Sequence, residues 1–172
     1  LLEPSAGRAD LIEPVLKSYR WSVPAIDCIE IDLDNQAVLR SKKLRVIDSD
    51  FLKFEGKGSY YSHILMNPSF RNGVDHVLKA WEILYDGEIV AILNASTIEH
   101  TDSKKKILLA SIIKAHGSVE YIDESFLDPD TKRKTPVRVA LVHLKKVADL
   151  KLDYFSELKV DTTEHTEDYI SP

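Results

Sequence analysis

Leu2-Glu3-Pro4-Ser5-Ala6-Gly7 is the stretch that decides the fold. In it a short apolar start is followed by an acidic residue and then by a turn that ends in glycine. Because Gly7 lacks a Cβ and accepts positive φ, the backbone of this turn can approach a ligand closely. The stretch therefore suits a nucleotide-like cofactor at the carboxyl end of a strand, and its structural alternative is a simple strand-to-helix loop.

Strands and helices alternate along the rest of the chain. The predicted strands are 25–31, 44–47, 61–66, 88–93, 119–122 and 137–144, and the predicted helices are 33–41, 73–85 and 103–115. Pro68 ends the third of these strands, because proline cannot donate a ladder hydrogen bond. The alternation indicates an α/β fold with a mostly parallel, twisted sheet and helices on both faces.

Four polar segments follow the predicted strands at their carboxyl ends: the Glu3–Gly7 turn, Glu30, Asp50 and Asn67. In open α/β sheets, ligands bind beyond the carboxyl ends of the strands. We therefore expect these four segments to converge on one site.

The composition fits one ordinary domain of 172 residues with a net charge of −5. Residues 147–172 carry seven acids and two lysines, which leaves 21 basic and 21 acidic residues in the body. The body is thus neutral, with basic clusters at 40–45, 104–106 and 132–134. Cys28 has no partner for an internal disulfide and no run is long enough to span a bilayer, so we expect a cytoplasmic protein without membrane contact.

The first three strand ends have residue types that suit a nucleoside cofactor. Glu30 could accept hydrogen bonds from both hydroxyls of a ribose, while Ile31 could pack on an adenine face. Asp50 could accept a hydrogen bond from an adenine amino group, and Phe51 could pack against the ring. Each residue also has a structural alternative, a helix cap for Asp50 and a core position for Phe51 among them.

The fourth strand end, Asn67-Pro68-Ser69-Phe70, has the residue types that hold an exocyclic amino group. The Asn67 side-chain oxygen and the Pro68 carbonyl are two acceptors for the amino hydrogens, and they would stabilise the positive charge that develops on the nitrogen. Phe70 would stack on a base turned out of its helix. The structural alternative is an Asn-Pro turn that ends a strand, with Phe70 in the core.

Together the two ordered motifs, Glu3–Gly7 and Asn67–Phe70, resemble the amino-group DNA methyltransferases that use S-adenosylmethionine and modify adenine at N6. The resemblance implies a Rossmann-like methyltransferase fold for residues 1–146, followed by an acidic tail at 147–172. It also implies that S-adenosylmethionine binds at these positions: Glu3, Pro4, Ser5, Ala6, Gly7, Glu30, Ile31, Asp50 and Phe51. The catalytic residues it implies are Asn67, Pro68 and Phe70, and the implied partner is DNA.

Two departures from the family pattern affect these expectations. Ser69 stands where the family usually has a second proline, so the loop loses one rigid φ. The chain also starts directly at the first motif and shows no recognition domain after Lys146. DNA selection would then depend on loops near 97–106 and 128–134, or on a specificity partner chain.

Other functions stay open or are disfavoured. Methyltransferases that act on RNA amino groups or on glutamine side chains carry the same tetrad, and a catalytically silent methyltransferase-like module would too. A metal site is disfavoured, because the six histidines lack ligand spacing and there is one cysteine. Cys28 lies in an apolar strand that suppresses its thiolate, and no Gly-x-Gly-x-x-Gly run marks a dinucleotide oxidoreductase.

Overall fold

The computed structural model describes residues 1–18, 25–56, 60–123 and 138–148. The strands in this part of the chain are β1 (Leu2–Glu3), β2 (Asp27–Ile29), β3 (Arg45–Asp48), β4 (His63–Met66), β5 (Gly87–Asn94), β6 (Gly117–Ile122) and β7 (Val139–Lys146). The helices are α1 (Ile12–Ser18), α2 (Leu33–Ser41), α3 (Gly73–Ile83), α4 (Ala95–Glu99) and α5 (Lys104–His116).

All seven strands belong to one sheet in the order β3-β2-β1-β4-β5-β7-β6. The strands from β3 to β5 in this order pair in parallel, whereas β7 is antiparallel to both β5 and β6. The chain starts in the middle of the sheet, moves outward to β3, and returns to β4 on the other side of β1. The strand order therefore changes direction between β1 and β4, where open α/β sheets bind their ligands.

Helices cover the sheet on both faces, and a hydrophobic core lies under each set. Side chains of α1 and α2 pack with Cys28 in the smaller core, and those of α3 and α5 pack with Ile29 in the larger one. Cys28 and Ile29 point to opposite faces because successive side chains alternate along a strand. The predicted fold class, a mostly parallel sheet between two helical layers, is confirmed.

The predicted element bounds agree where local signals are strong. Helix 33–41 is observed as α2, with the Asp32 side chain accepting a hydrogen bond from the Asn35 backbone N–H at its start. Helix 73–85 ends two residues earlier, because the backbone is already extended at Leu84. Strand 25–31 is shorter than predicted and is observed as β2 (Asp27–Ile29), whose pairing with β3 shifts register between Cys28 and Ile29.

Helices α1 and α4 have no counterpart in the sequence-based prediction. Helix α1 has only seven residues and contains Pro14, and α4 has only five residues, so neither is long enough to show a helical period. Asn94 caps the start of α4, because its side chain accepts a hydrogen bond from the Ser96 backbone N–H at 2.9 Å. An N-cap of this kind was the available signal in the sequence.

Several sequence-based expectations fall on residues outside the described ranges. These are the basic cluster at 132–134, the loop at 128–134 and nearly all of the acidic tail at 147–172. The division into residues 1–146 and 147–172 therefore stays a prediction. Within the described ranges, no helix has the length and hydropathy of a membrane span.

Candidate active site

The carboxyl ends of β1, β2 and β4 lie side by side in the centre of the sheet. Leu2 of β1 is in register with Asp27 of β2 and with Ile64 of β4. The turn after β1 is also bonded to the end of β2, because the Ala6 backbone N–H donates to the Ile29 carbonyl at 3.2 Å. The residues that follow these three strands therefore share one edge.

Glu3 is a buried carboxyl group at the end of β1, with 1% of its surface exposed. Its Oε1 accepts a hydrogen bond from the Ser5 backbone N–H at 3.2 Å, whereas Oε2 has no hydrogen-bond partner in the described structure. Burial raises the pKa of Glu3 to about 8, and the negative charge of Glu30 adds to the rise. A buried oxygen without a hydrogen-bond partner is rare in proteins, and it is explained by strain, by a functional role or by a bound water or ligand.

Gly7, in the same turn, leaves open space beside its backbone. Its φ is +52°, in the left-handed region, and no heavy atom lies within 4 Å of the position a Cβ would occupy. The turn then leads directly into α1, since the Ala9 carbonyl accepts hydrogen bonds from the backbone N–H groups of Ile12 and Glu13. The space above Gly7 is thus large enough for a ligand to touch the backbone.

Glu30 joins the ends of β1 and β2 through both carboxylate oxygens. Oε2 accepts a hydrogen bond from the Gly7 backbone N–H at 2.7 Å, and Oε1 accepts one from the Asp32 backbone N–H at 2.8 Å. The backbone carbonyl of Glu30 accepts a bond from Nε2 of the buried Gln36 at 2.6 Å. Glu30 therefore holds the site's backbone in place, and a carboxylate retains lone pairs for further donors.

The side chains predicted to surround an adenine ring differ greatly in exposure. Ile31 is 73% exposed, so its apolar side chain is available to a ligand, whereas Phe51 is 2% exposed. The Phe51 ring lies in the larger core, with its centroid 5.6 Å from that of His76. This is the core position that the sequence left as the alternative, and very little of the ring reaches the site's surface.

Asp50 is half-buried and forms an ion pair with Lys53, with 2.9 Å between Oδ2 and Nζ. The hydrogen bond from Lys53 lowers the pKa of Asp50. Its Oδ1 also accepts a bond from the Leu52 backbone N–H at 3.1 Å, so Asp50 caps the turn that follows β3. The carboxylate is charged and lies at the edge of the sheet.

The Asn67–Phe70 loop connects β4 to α3. Asn67 is exposed, Pro68 is buried, and Phe70 is 41% exposed. The Ser69 carbonyl accepts a hydrogen bond from the Asn72 backbone N–H at 3.0 Å, which closes the loop before α3 begins. The loop thus exposes the Asn67 and Phe70 side chains while its proline is fixed in the interior.

The structure brings most of the predicted residues to one edge by two kinds of contact. Hydrogen bonds join the Glu3–Gly7 turn to Glu30, and strand register places Asn67 beyond the neighbouring strand. Sequence reasoning missed Gln36, which holds the Glu30 carbonyl from the buried side of α2. In the described residues, no group of three or more histidine, cysteine or acidic side chains could hold a metal ion.

No protein-family model matches the chain, and none of the curated proteins is significantly similar to it. Many solved structures are similar. A protein from Pyrococcus horikoshii assigned as an RNA methyltransferase is 19% identical, with a TM-score of 0.58 over 85% of this chain and 74% of its own. The plantazolicin methyltransferase BpumL, in complex with a pentazolic desmethylPZN analogue and S-adenosylhomocysteine, is 12% identical, with a TM-score of 0.55 over 84% of this chain and 76% of its own.

A modification subunit assigned to a type I restriction enzyme from Vibrio vulnificus is also similar. It has a TM-score of 0.65 at 10% identity, and the match covers 86% of this chain and 40% of that one. At identities this low, the comparisons establish the fold. The chain has the Rossmann-like fold of these methyltransferases.

Proposed function

We propose that this chain is an S-adenosylmethionine-dependent methyltransferase of exocyclic amino groups, and that its preferred acceptor is N6 of adenine in DNA. One observation carries the proposal: the Asn67–Phe70 loop follows the strand next to the Glu3–Gly7 turn. An amino-group motif and a cofactor motif therefore share the edge where this fold binds ligands. The resemblance of both motifs to the DNA adenine methyltransferases supports the choice of acceptor.

Two features of the β1 turn fit the cofactor. The Oε2 atom of Glu3 has no hydrogen-bond partner in the described structure, and the space beside the Gly7 backbone is open. The Glu3–Gly7 turn would hold the methionine part of the cofactor, and Glu30 would hold its ribose. Ile31 and Asp50 would contact its adenine, with Phe51 packed beneath them in the core.

S-adenosylmethionine supplies an electrophilic methyl group when it is bound. The chain's own contribution is to bind and polarise the acceptor nitrogen. The Asn67 side-chain oxygen and the Pro68 carbonyl would accept hydrogen bonds from the amino group, which frees the nitrogen lone pair from the ring. The same two oxygens would stabilise the positive charge on the nitrogen until it loses a proton.

Phe70 supports a flipped base as the substrate. Its half-exposed ring follows the two acceptors directly, where it could stack on the face of a base. Stacking of a base on an aromatic side chain is worth about 1–3 kcal/mol, which offsets part of the cost of leaving the duplex. Ser69 leaves the positions of both acceptors in the sequence unchanged but fixes the loop less firmly than a proline would.

The experiment that tests the proposal measures N6-methyladenine by nucleoside mass spectrometry, in DNA from a host that lacks this modification. We expect methylation with the full chain and a loss of at least about 100-fold with Asn67→Ala, comparable to the loss of a charge-stabilising group elsewhere. The matched control is Ser111→Ala at an exposed position of α5, which should leave methylation unchanged.

Calorimetric titration with S-adenosylhomocysteine separates binding from transfer. Asn67→Ala should keep the affinity within a few-fold, because the residue lies outside the β1 turn. Full methylation with Asn67→Ala would show that the catalytic assignment is wrong. Cofactor binding without DNA methylation in the unaltered chain would instead indicate an RNA or protein acceptor, or a silent module.

A further inference from the structure

Glu3 combines deep burial with an unfilled hydrogen-bonding position. The side chain is 1% exposed at the end of β1, and its Oε2 atom has no hydrogen-bond partner in the described residues. Its Oε1 atom accepts one bond, from the neutral backbone N–H of Ser5 at 3.2 Å. Because a carboxylate removed from water needs donors to stabilise its charge, this environment favours the protonated carboxyl group.

The titratable groups on the two neighbouring strands do not stabilise an ionised Glu3. On β2, Cys28 lies opposite Glu3 in register, and burial raises the pKa of its thiol to about 12, so the thiol is neutral. Asp27 on β2 and His63 on β4 lie at the amino ends of their strands, whereas Glu3 lies at the carboxyl end of β1. Burial therefore raises the pKa of Glu3 to about 8, and the negative charge of Glu30 adds to the rise.

Glu30, the second acid at this edge, is held differently. Its Oε2 atom accepts a hydrogen bond from the Gly7 backbone N–H at 2.7 Å, and its Oε1 atom accepts one from the Asp32 backbone N–H at 2.8 Å. Donors on both oxygens stabilise the carboxylate. Glu30 could also bind a neutral ribose hydroxyl without a change in its own charge. Of these two acids, Glu3 is therefore the one whose charge can change when a ligand binds.

The methionine part of S-adenosylmethionine carries the positive charge that Glu3 lacks. A neutral partner could bond to Oε2 and leave the proton in place, whereas an α-ammonium group stabilises the carboxylate instead. The turn has open space at Gly7, where no heavy atom lies within 4 Å of the position of a Cβ. At pH 7, ionising a group with a pKa of about 8 lowers affinity by about tenfold, which one charge-assisted hydrogen bond can offset.

We propose that Glu3 loses its proton to solvent when the cofactor binds, because the carboxylate then accepts a hydrogen bond from the cofactor's α-ammonium group. The O–H bond of the carboxyl group breaks, the proton passes to the buffer, and no covalent bond to the cofactor forms. Glu3 thereby distinguishes ligands that carry the amino acid part from ligands that contain the adenosine part alone. The inference rests on the cofactor in the proposed function and is independent of the methyl acceptor.

Calorimetric titration of the full chain with S-adenosylhomocysteine, which keeps the α-ammonium group, counts the released protons. The titration is made at pH 7 in phosphate, HEPES and imidazole, which differ in their enthalpies of ionisation. The slope of the observed enthalpy against the ionisation enthalpy gives the number of protons. We expect about 0.9 proton per ligand, since this fraction of a group with a pKa of about 8 is protonated at pH 7. Binding without proton release would overturn the proposal.

Two variants identify the source of the proton. Glu3→Gln cannot ionise, so S-adenosylhomocysteine should bind more weakly and release almost no proton. Glu13→Gln on α1 is the matched control, because the Glu13 carboxylate is paired with Lys42 at 2.6 Å, and it should keep the full release. If Glu3→Gln released as many protons as the unaltered chain, another group would be the source and the proposal would be wrong.

A ligand without the amino acid part provides a test that needs no variant. 5′-Methylthioadenosine keeps the adenosine part and lacks the α-ammonium group, so it should bind without proton release. From pH 6 to pH 7, the affinity for S-adenosylhomocysteine should rise about tenfold, while that for 5′-methylthioadenosine should stay constant. Equal proton release with the two ligands would contradict the role of the ammonium group.

The outcomes separate this inference from the proposed function. Proton release on binding without methylation of DNA would contradict the acceptor and leave the role of Glu3 intact. Methylation of DNA together with binding that releases no proton would do the reverse. No binding of S-adenosylhomocysteine at all would overturn both.

Discussion

Replacing Glu3 by glutamine should abolish a strong pH dependence of stability. The carboxyl of Glu3 is 1% exposed, and burial raises its pKa from 4.5 to about 8. The folded state therefore keeps the proton up to about pH 8, while the unfolded chain loses it near pH 4.5. Because the unfolded chain binds fewer protons in this range, the free energy of unfolding falls as the pH rises.

The size of the effect follows from these two pKa values. A tenfold change in proton affinity corresponds to about 1.4 kcal/mol, so the full contribution is about 5 kcal/mol at high pH. Between pH 5 and pH 8 the unaltered chain should lose about 3–4 kcal/mol through this group. Glutamine does not titrate and can keep the bond from the Ser5 backbone N–H, so the variant lacks this loss.

The assay is urea denaturation of both proteins at pH 5, 6, 7 and 8, without cofactor. From pH 5 to pH 8, the unfolding free energy of the unaltered chain should fall by about 3–4 kcal/mol relative to that of Glu3→Gln. Glu13→Gln is the matched control. Because Lys42 lowers the pKa of this exposed carboxylate, the difference in unfolding free energy between Glu13→Gln and the unaltered chain should not change above pH 5. Parallel stability curves for Glu3→Gln would refute the reasoning.

Three further predictions concern the backbone around the site and the end of α2. Glu30→Ala removes the acceptor for the backbone N–H groups of Gly7 and Asp32, so the free energy of unfolding in urea should fall by about 2–4 kcal/mol. Calorimetry should show a weaker affinity for S-adenosylhomocysteine, and an unchanged affinity would contradict the ribose assignment. Gly7→Ala places a Cβ at φ +52°, so it should lower stability by about 1–2 kcal/mol and reduce the same affinity, with retained affinity as the contrary result. Lys43→Gly should raise the melting temperature, because the exposed Lys43 has a φ of +61° just after α2 and glycine adopts that conformation without strain. Lys42→Gly should lower the melting temperature, since Lys42 has a φ of −81°. Equal changes in the melting temperatures of the two variants would count against the argument.

Local patterns were sufficient to predict the elements that contain a complete helical or strand signal. Helix α2 combines a capping aspartate, Asp32, with nine residues that lack proline and glycine, and it was predicted with its observed bounds. Strand β4 was predicted to end before Asn67 because Pro68 prevents its continuation. Both signals lie within a few residues of the element they define.

Features that depend on distant parts of the chain could not be predicted in the same way. Strand β7 is apolar like an inner parallel strand, but its antiparallel pairing with β5 is set by where the chain re-enters the sheet. The sequence predicted that Phe51 packs against the cofactor's ring, with a core position as the alternative, and the structure places its ring in the larger core against His76 on α3. Since His76 is 25 residues away in the sequence, no local pattern contains this contact.

The two acids of the site differ in the number of donors that the backbone gives them. Glu30 receives one backbone N–H at each oxygen, whereas Glu3 receives one in total and keeps Oε2 without a partner. If Glu3 served the fold alone, a glutamine would fill the same space without the loss of stability above pH 5, which arises because the folded chain keeps this buried carboxyl protonated while the unfolded chain ionises it. Strongly perturbed pKa values of this kind cluster at functional sites. Improved stability of Glu3→Gln together with weaker binding of S-adenosylhomocysteine would therefore separate a role in the cofactor site from a role in folding.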